Sequence, residues 1–154
     1  MKNNQSTASK SGKPFVSTSR SLPIALLRAR ETIMAPIRVM LQESNISEQR
    51  WRVLRVVEEA GEVEQTAIAA AACLQLPSLT RILRSMESDG LVTRKNDVTD
   101  RRSWLVSITP EGEKLIDSHR KNSAEILSKL RNQLGVEKTD RLLDTLEEIS
   151  DLKL

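Results

Sequence analysis

The chain has 154 residues, 38% hydrophobic and 29% charged, with a formal net charge of +3, which suits one domain with its own core and is short for two. Phe15, Trp51 and Trp104 are its only aromatic residues, so the core must come from Leu, Ile, Val and Ala, a composition that favours packed helices over a β-sandwich. No apolar run approaches the roughly 20 residues a bilayer crossing requires, so no membrane partner is expected and a cytoplasmic location is.

Residues 1–20 are rich in Ser, Thr, Asn and Lys and read as a flexible basic tail, with no apolar stretch behind it to make a secretory signal. From Leu22 the apolar positions Leu26, Leu27, Ile33, Met34, Ile37, Met40 and Leu41 recur at helical spacing. Ser21 suits the cap and Pro23 the first turn, while Pro36 should kink or divide the helix. Ser47 opens a second helix with Trp51, Leu54 and Val57 on one face, and Gly61 closes it.

Two short helical segments follow. Residues 64–72 are Ala-rich and admit a close neighbour; after a break at Cys73–Leu76, Pro77 opens a helix that turns Leu79, Ile82, Leu83 and Met86 inward and ends at Gly90. Two helices joined by so short a turn have helix-turn-helix dimensions. The period then changes: Leu91–Lys95 reads as a strand, and residues 104–108 alternate as a second. The polar segment between them makes the pair a hairpin, or wing.

Thr109-Pro110 caps and starts a long helix with Glu111 and Glu113 at its positive end, running to Gly135, and a last helix presents Leu142, Leu146 and Ile149. The expected fold is mainly α with a small β-hairpin wing. Residues 21–154 form a single domain, with dimerisation helices at 21–46 and 110–154 around a winged helix-turn-helix at 47–109. The flanking helices carry more apolar surface than the winged part can cover, which predicts a homodimer.

The charge is unevenly spread. Arg81, Arg84, Arg94, Lys95, Arg101 and Arg102 form a positive cluster, whereas residues 135–154 lean acidic, a distribution consistent with a nucleic-acid footprint. With Leu79, Ile82 and Leu83 inward, Ser78, Thr80, Arg81 and Arg84 face outward, giving short hydroxyls and arginines able to bind guanine edges bidentately. The plain alternative is an amphipathic helix whose charges only meet solvent. At the wing, Asp100 beside Arg101 and Arg102 lets a carboxylate orient one guanidinium while the other enters a minor groove. Arg94 and Lys95 suit phosphates. A salt-bridged surface turn is the alternative there.

The segments SEQRWRVLRVV (47–57), LPSLTRILRSMESDGLVTR (76–94) and DRRSWLVSITPEGEKL (100–115) together resemble the MarR family of winged-helix regulators over roughly residues 22–150. SLPIALLRARE (21–31) and QRWRVLRVVEE (49–59) are similar to its homoprotocatechuate (4-hydroxyphenylacetate) operon repressors. The resemblance implies a homodimeric repressor on a pseudo-palindromic double-stranded operator, released by a small aromatic carboxylate. By it, Ser78, Thr80, Arg81 and Arg84 would read the major groove and Arg101 the minor groove. Two departures stand out: Gln75 and Leu76 replace the usual Ser or Thr cap of the recognition helix, and the basic tail has no counterpart.

A carboxylate effector calls for a cation in an apolar pocket and a group that fixes orientation. Arg28, Arg52 and Ser21 are the candidates, with Trp51 as a wall, although core packing is the more ordinary role for Trp51. Cys73, the only cysteine, is expected to be a small buried thiol; oxidant sensing through it is the alternative signal, as is another phenolic ligand. His119 has no second His or Cys for a metal site and is expected at a surface or interface. Neither a cofactor nor catalysis is expected: there is no glycine-rich phosphate loop and no Ser paired with a His base. A winged-helix protein-interaction module without DNA affinity is the competing class.

Overall fold

The computed structural model describes residues 17–154; residues 1–16 of the expected tail lie outside the described residues. The described residues gather into two units, one reaching to Thr32 and the other spanning Ile33–Leu154. In the first, Arg20 N donates to Ser17 O at 2.8 Å to close a turn. The Arg28 guanidinium donates to the carbonyls of Thr18 (3.0 Å) and Ser19 (3.3 Å). Helix α1 (Leu22–Gln42) begins here, Pro23 in its first turn, with Leu22 and Leu27 exposed. The helix runs through Pro36 undivided, so the expected division does not occur.

The second unit holds the end of α1, then α2 (Glu48–Ala60), β1 (Glu62–Glu64), α3 (Gln65–Ala71), α4 (Leu76–Ser88), β2 (Val92–Asn96), β3 (Trp104–Ile108), α5 (Pro110–Leu134) and α6 (Val136–Ser150). Leu41, Val53, Leu54, Val57, Ile68, Leu79, Leu83, Met86, Val92, Val106 and Ile116 make one core, each contributing about 1.5–3 kcal/mol of burial. Aliphatic residues supply most of it, as the composition requires, with Trp51 and two methionines, Met40 and Met86, packed among them. Among the described residues no single helix is long and apolar enough to cross a membrane.

Helices α3 and α4 meet at 109° across the break between them, within the range of a helix-turn-helix. The sheet is ordered β1-β3-β2 and wholly antiparallel, with Val63 opposite Val106 and Arg94 also opposite Val106 from the other side. The sequence reading provided β2 and β3 but missed β1. Its three residues gain strand geometry only by pairing with the distant β3.

Local capping fixes the helix ends. Ser47 Oγ accepts from Arg50 N at 3.2 Å, and Thr109 Oγ1 accepts from Gly112 N at 3.1 Å. The α3 terminus has a left-handed residue, Cys73 (φ 51), with Cys73 N bonded to Ala70 O and Leu74 N to Ala69 O. The α4 terminus repeats this pattern at Gly90 (φ 73), through Gly90 N to Glu87 O and Leu91 N to Met86 O. Glycine occupies the left-handed site freely; cysteine does so at a steric cost. Cys73→Gly is therefore expected to raise stability by about 0.5–1 kcal/mol, seen as a higher urea midpoint. An unchanged or lowered midpoint would count against the strain.

A clasp joins the wing to α5. Thr109 Oγ1 donates to Gly90 O at 2.6 Å, and Thr109 N donates to Leu91 O at 3.1 Å. A β-carbon on buried Gly112 would run into the Leu91 carbonyl oxygen and the Ile108 side chain. The Pro-Glu-Gly segment is thus a packing device, where the first turn of α5 presses on the hairpin base.

Candidate nucleic-acid interface and ligand cavity

The buried stripe of α4, Leu79, Leu83 and Met86, sets what the opposite side presents. Ser78, Arg81 and Arg84 are exposed. Neither arginine makes an ion pair with a described residue. Thr80 departs from its expected outward position. It lies one residue from Leu79, half-buried, where its hydroxyl donates to Leu76 O (3.0 Å) and accepts from Gln65 Nε2 (2.6 Å). Thr80 therefore bolts α4 to α3. Helix α4 lacks a side-chain cap bond at Gln75, as the departure noted in the sequence implies.

Arg101 and Arg102 are exposed at the wing tip, neither in an ion pair with a described residue. Their loop is shaped by its own carboxylates. Asp97 Oδ1 accepts from Thr99 N and Thr99 Oγ1, both at 2.8 Å, and the Thr99 bonds hold this carboxyl below the usual range. Asp100 was expected to orient a guanidinium; instead Asp100 Oδ1 accepts from the backbone N of Arg102 at 3.0 Å. It fixes the turn and leaves both guanidiniums outside it.

Arg94 and Lys95 differ from these. Arg94 donates through Nε (3.0 Å) and Nη2 (2.7 Å) to Glu87 Oε2, and its guanidinium carbon lies 5.1 Å from the centre of the Trp104 ring. Only 12% of its side chain is exposed. Arg94 ties β2 to α4 and braces Trp104, in place of the expected reach to phosphate. Lys95 Nζ is 2.7 Å from Glu62 Oε2 but more than half exposed, so it stays within reach of a polyanion.

The effector candidates are divided between the two units. Ser21 and Arg28 belong to the first unit, Arg28 being bound to the turn carbonyls. Trp51 and Arg52 belong to the second and point different ways. Arg52 Nη1 donates to Ala72 O at 2.9 Å, at the C-terminal end of α3, where a cation complements the helix dipole. Trp51, only 8% exposed, packs edge-on against the His119 ring at 5.8 Å. It is both a core residue and a wall of a 340 Å³ cavity lined by Ile37, Arg55, Ile116, Arg120, Ser123 and Leu127 among others.

Sequence reasoning chose Arg52 and missed Arg55 and Arg120. Helical geometry held the signal: Arg55 is four residues from Trp51 and shares its face, whereas Arg52 is one residue and about 100° away. On α5, Ile116, Arg120, Ser123 and Leu127 repeat the same spacing. Glu58 links the two cations, its Oε2 2.7 Å from Arg55 Nη1 and its Oε1 2.6 Å from Arg120 Nη2. The bonds to Glu58, then to Asp117, raise the Arg120 pKa further.

Two other expectations are corrected. His119 is 2% exposed within the single chain, with Nε2 2.6 Å from Ser44 Oγ; a polar ring on an otherwise aliphatic helix face is buried once Ser44 supplies a partner. Cys73 is exposed rather than buried, because its left-handed backbone directs the chain inward at Leu74. Among the described residues no group of three or more His, Cys, Asp or Glu is placed to hold a metal ion.

A helix pair of this angle, with exposed arginines on its second helix and a basic hairpin behind it, defines a winged helix-turn-helix protein. Residues 46–104 match the MarR family. The chain is 38% identical over 128 residues to the homoprotocatechuate degradative operon repressor of Escherichia coli, spanning 83% of this chain and 86% of that one. It belongs to the MarR family. It is also 36% identical over 140 residues to the HTH-type transcriptional regulator FarR of Neisseria gonorrhoeae, over 91% and 96% of the two chains. Among solved structures, NadR in complex with 4-hydroxyphenylacetate superposes with a TM-score of 0.81 at 35% identity, covering 92% of this chain and 100% of that one.

Proposed function

We propose that this protein is a homodimeric, cytoplasmic transcription repressor that binds a pseudo-palindromic operator and is released by a small aromatic carboxylate. It works by binding, without catalysis. The observation that carries the DNA reading is the exposure of Ser78, Arg81 and Arg84 on α4 together with Arg101 and Arg102 on the wing, none of these arginines in an ion pair with a described residue. In a two-fold dimer the paired recognition helices would sit about one DNA turn, roughly 34 Å, apart.

Dimerisation is supported by apolar surface the single chain leaves open. Helix α6 has no buried residue, and Leu142 and Leu143 are 45% and 57% exposed. Leu127 and Val136 add to it. An exposed apolar stripe on an otherwise charged helix marks an interaction surface, here one for a second copy of the chain.

The effector reading rests on the cavity. Trp51, Ile37, Ile116 and Leu127 offer apolar walls for a ring, Arg55 and Arg120 offer cations for a carboxylate, and Ser123 offers a hydroxyl. The relatives named for homoprotocatechuate degradation and for a 4-hydroxyphenylacetate complex indicate the acid to try first. A mobility-shift titration on DNA upstream of the protein's own gene should show one specific complex that 4-hydroxyphenylacetate or homoprotocatechuate dissolves. A complex unaffected by any aromatic acid would sink the effector reading while leaving the DNA reading intact.

A further inference from the structure

Two guanidiniums at the cavity wall share a single carboxylate. Glu58, in the last turn of α2, gives one oxygen to Arg55 on its own helix and the other to Arg120 on α5. Glu58 is not itself among the cavity-lining residues, whereas both arginines are. Its side chain is 23% exposed, so these bonds are only partly screened by water. An acid entering the cavity would meet two cations already engaged by carboxylates, Arg55 and Arg120 by Glu58 and Arg120 also by the more exposed Asp117.

We propose that Glu58 is a built-in competitor for the effector, setting its affinity by holding the same two guanidiniums that the ligand's carboxylate requires. This rests on the cavity being the effector site. Each guanidinium has a planar fan of donors, and a carboxylate bridging two of them by separate oxygens has a geometry any other carboxylate can copy. Entry of an acid draws Arg55 and Arg120 toward the cavity and weakens their bonds to Glu58. Since the Arg120–Glu58 bond ties α5 to α2, within the winged part, the exchange also relaxes a link between the long helix and the DNA-reading helices. Asp117, three residues before Arg120 on α5, also accepts from it at 2.9 Å, so Arg120 retains one carboxylate partner during the exchange.

The test is the affinity of the full chain for 4-hydroxyphenylacetate by calorimetry, with 4-hydroxyphenylacetamide as the uncharged probe. Glu58→Gln should bind the acid about five- to tenfold more tightly than the wild type and the amide equally. It should also release DNA at a correspondingly lower acid concentration. Glu58→Asp, too short to bridge both guanidiniums, should fall between the two and serves if the Gln variant folds poorly. Equal or weaker acid binding by the variants overturns the proposal, as does equal tightening for acid and amide. If no variant and not the wild type binds the acid, the cavity reading itself fails, and this inference with it.

Discussion

Replacing Arg84 or Arg101 with Ala is expected to weaken operator binding by about 1–3 kcal/mol, or about 5- to 150-fold, for an arginine that reads a base edge. Both side chains are exposed and carry no ion pair with a described residue, so their removal leaves no intrasubunit partner stranded and should leave stability within about 0.5 kcal/mol. Loss of affinity without loss of stability is the signature. Sequence preference should relax at the contacted positions, whereas loss of a phosphate contact would lower affinity evenly and reduce the salt slope by about one unit. Arg94→Ala makes the contrast: it strands Glu87 and unseats Trp104, so its effect should be on stability. Fluorescence anisotropy at several salt concentrations, paired with urea melts, distinguishes the cases. Unchanged affinity in both Arg84→Ala and Arg101→Ala would favour a protein-interaction module over a DNA reader.

The largest stability effect should come from a residue with no chemistry at all. Gly112→Ala places a methyl group against the Leu91 carbonyl and the Ile108 side chain. Overpacking of a core typically costs about 1–3 kcal/mol, and here the obstacle is partly backbone, which cannot rotate away. A loss of about 3 kcal/mol is expected, lowering Tm by roughly 6–12 °C for a chain of this size. Because the contact joins the hairpin base to α5, the wing should loosen with it, and operator affinity should fall even where the protein remains folded. Thermal melts at one fixed protein concentration check the first part, since a dimer's Tm depends on concentration. A Tm within 2 °C of the wild type would show that the hairpin shifts without strain.

What could be read from the residues was whatever a short stretch decides alone. Ser47 and Thr109 announce helix starts because an N-cap is a contact between neighbours; Gly61 and Gly90 announce ends for the same reason. The recognition helix and the wing were legible because a buried stripe and an alternating strand each have a period. Several of the misreadings involve partners distant in sequence. Strand β1 exists only through β3. Thr80 is turned inward by Gln65, His119 is buried by Ser44, and Arg94 is claimed by Glu87. Arg52 stands near the junction of the flanking helices and the winged part, but helical phase puts Arg55, not Arg52, on the face of Trp51. Cys73 was assigned to the interior by its chemistry, although the turn it closes required a left-handed residue whose side chain meets water.

That outward thiol gives the molecule an internal ruler. The chain contains one cysteine, and it projects from the corner between α3 and α4, so a two-fold pair carries two spin labels, one at each corner. Their separation, measured by pulsed dipolar spectroscopy, follows how far apart the two reading heads stand as operator or aromatic acid is added, with no further engineering of the sequence.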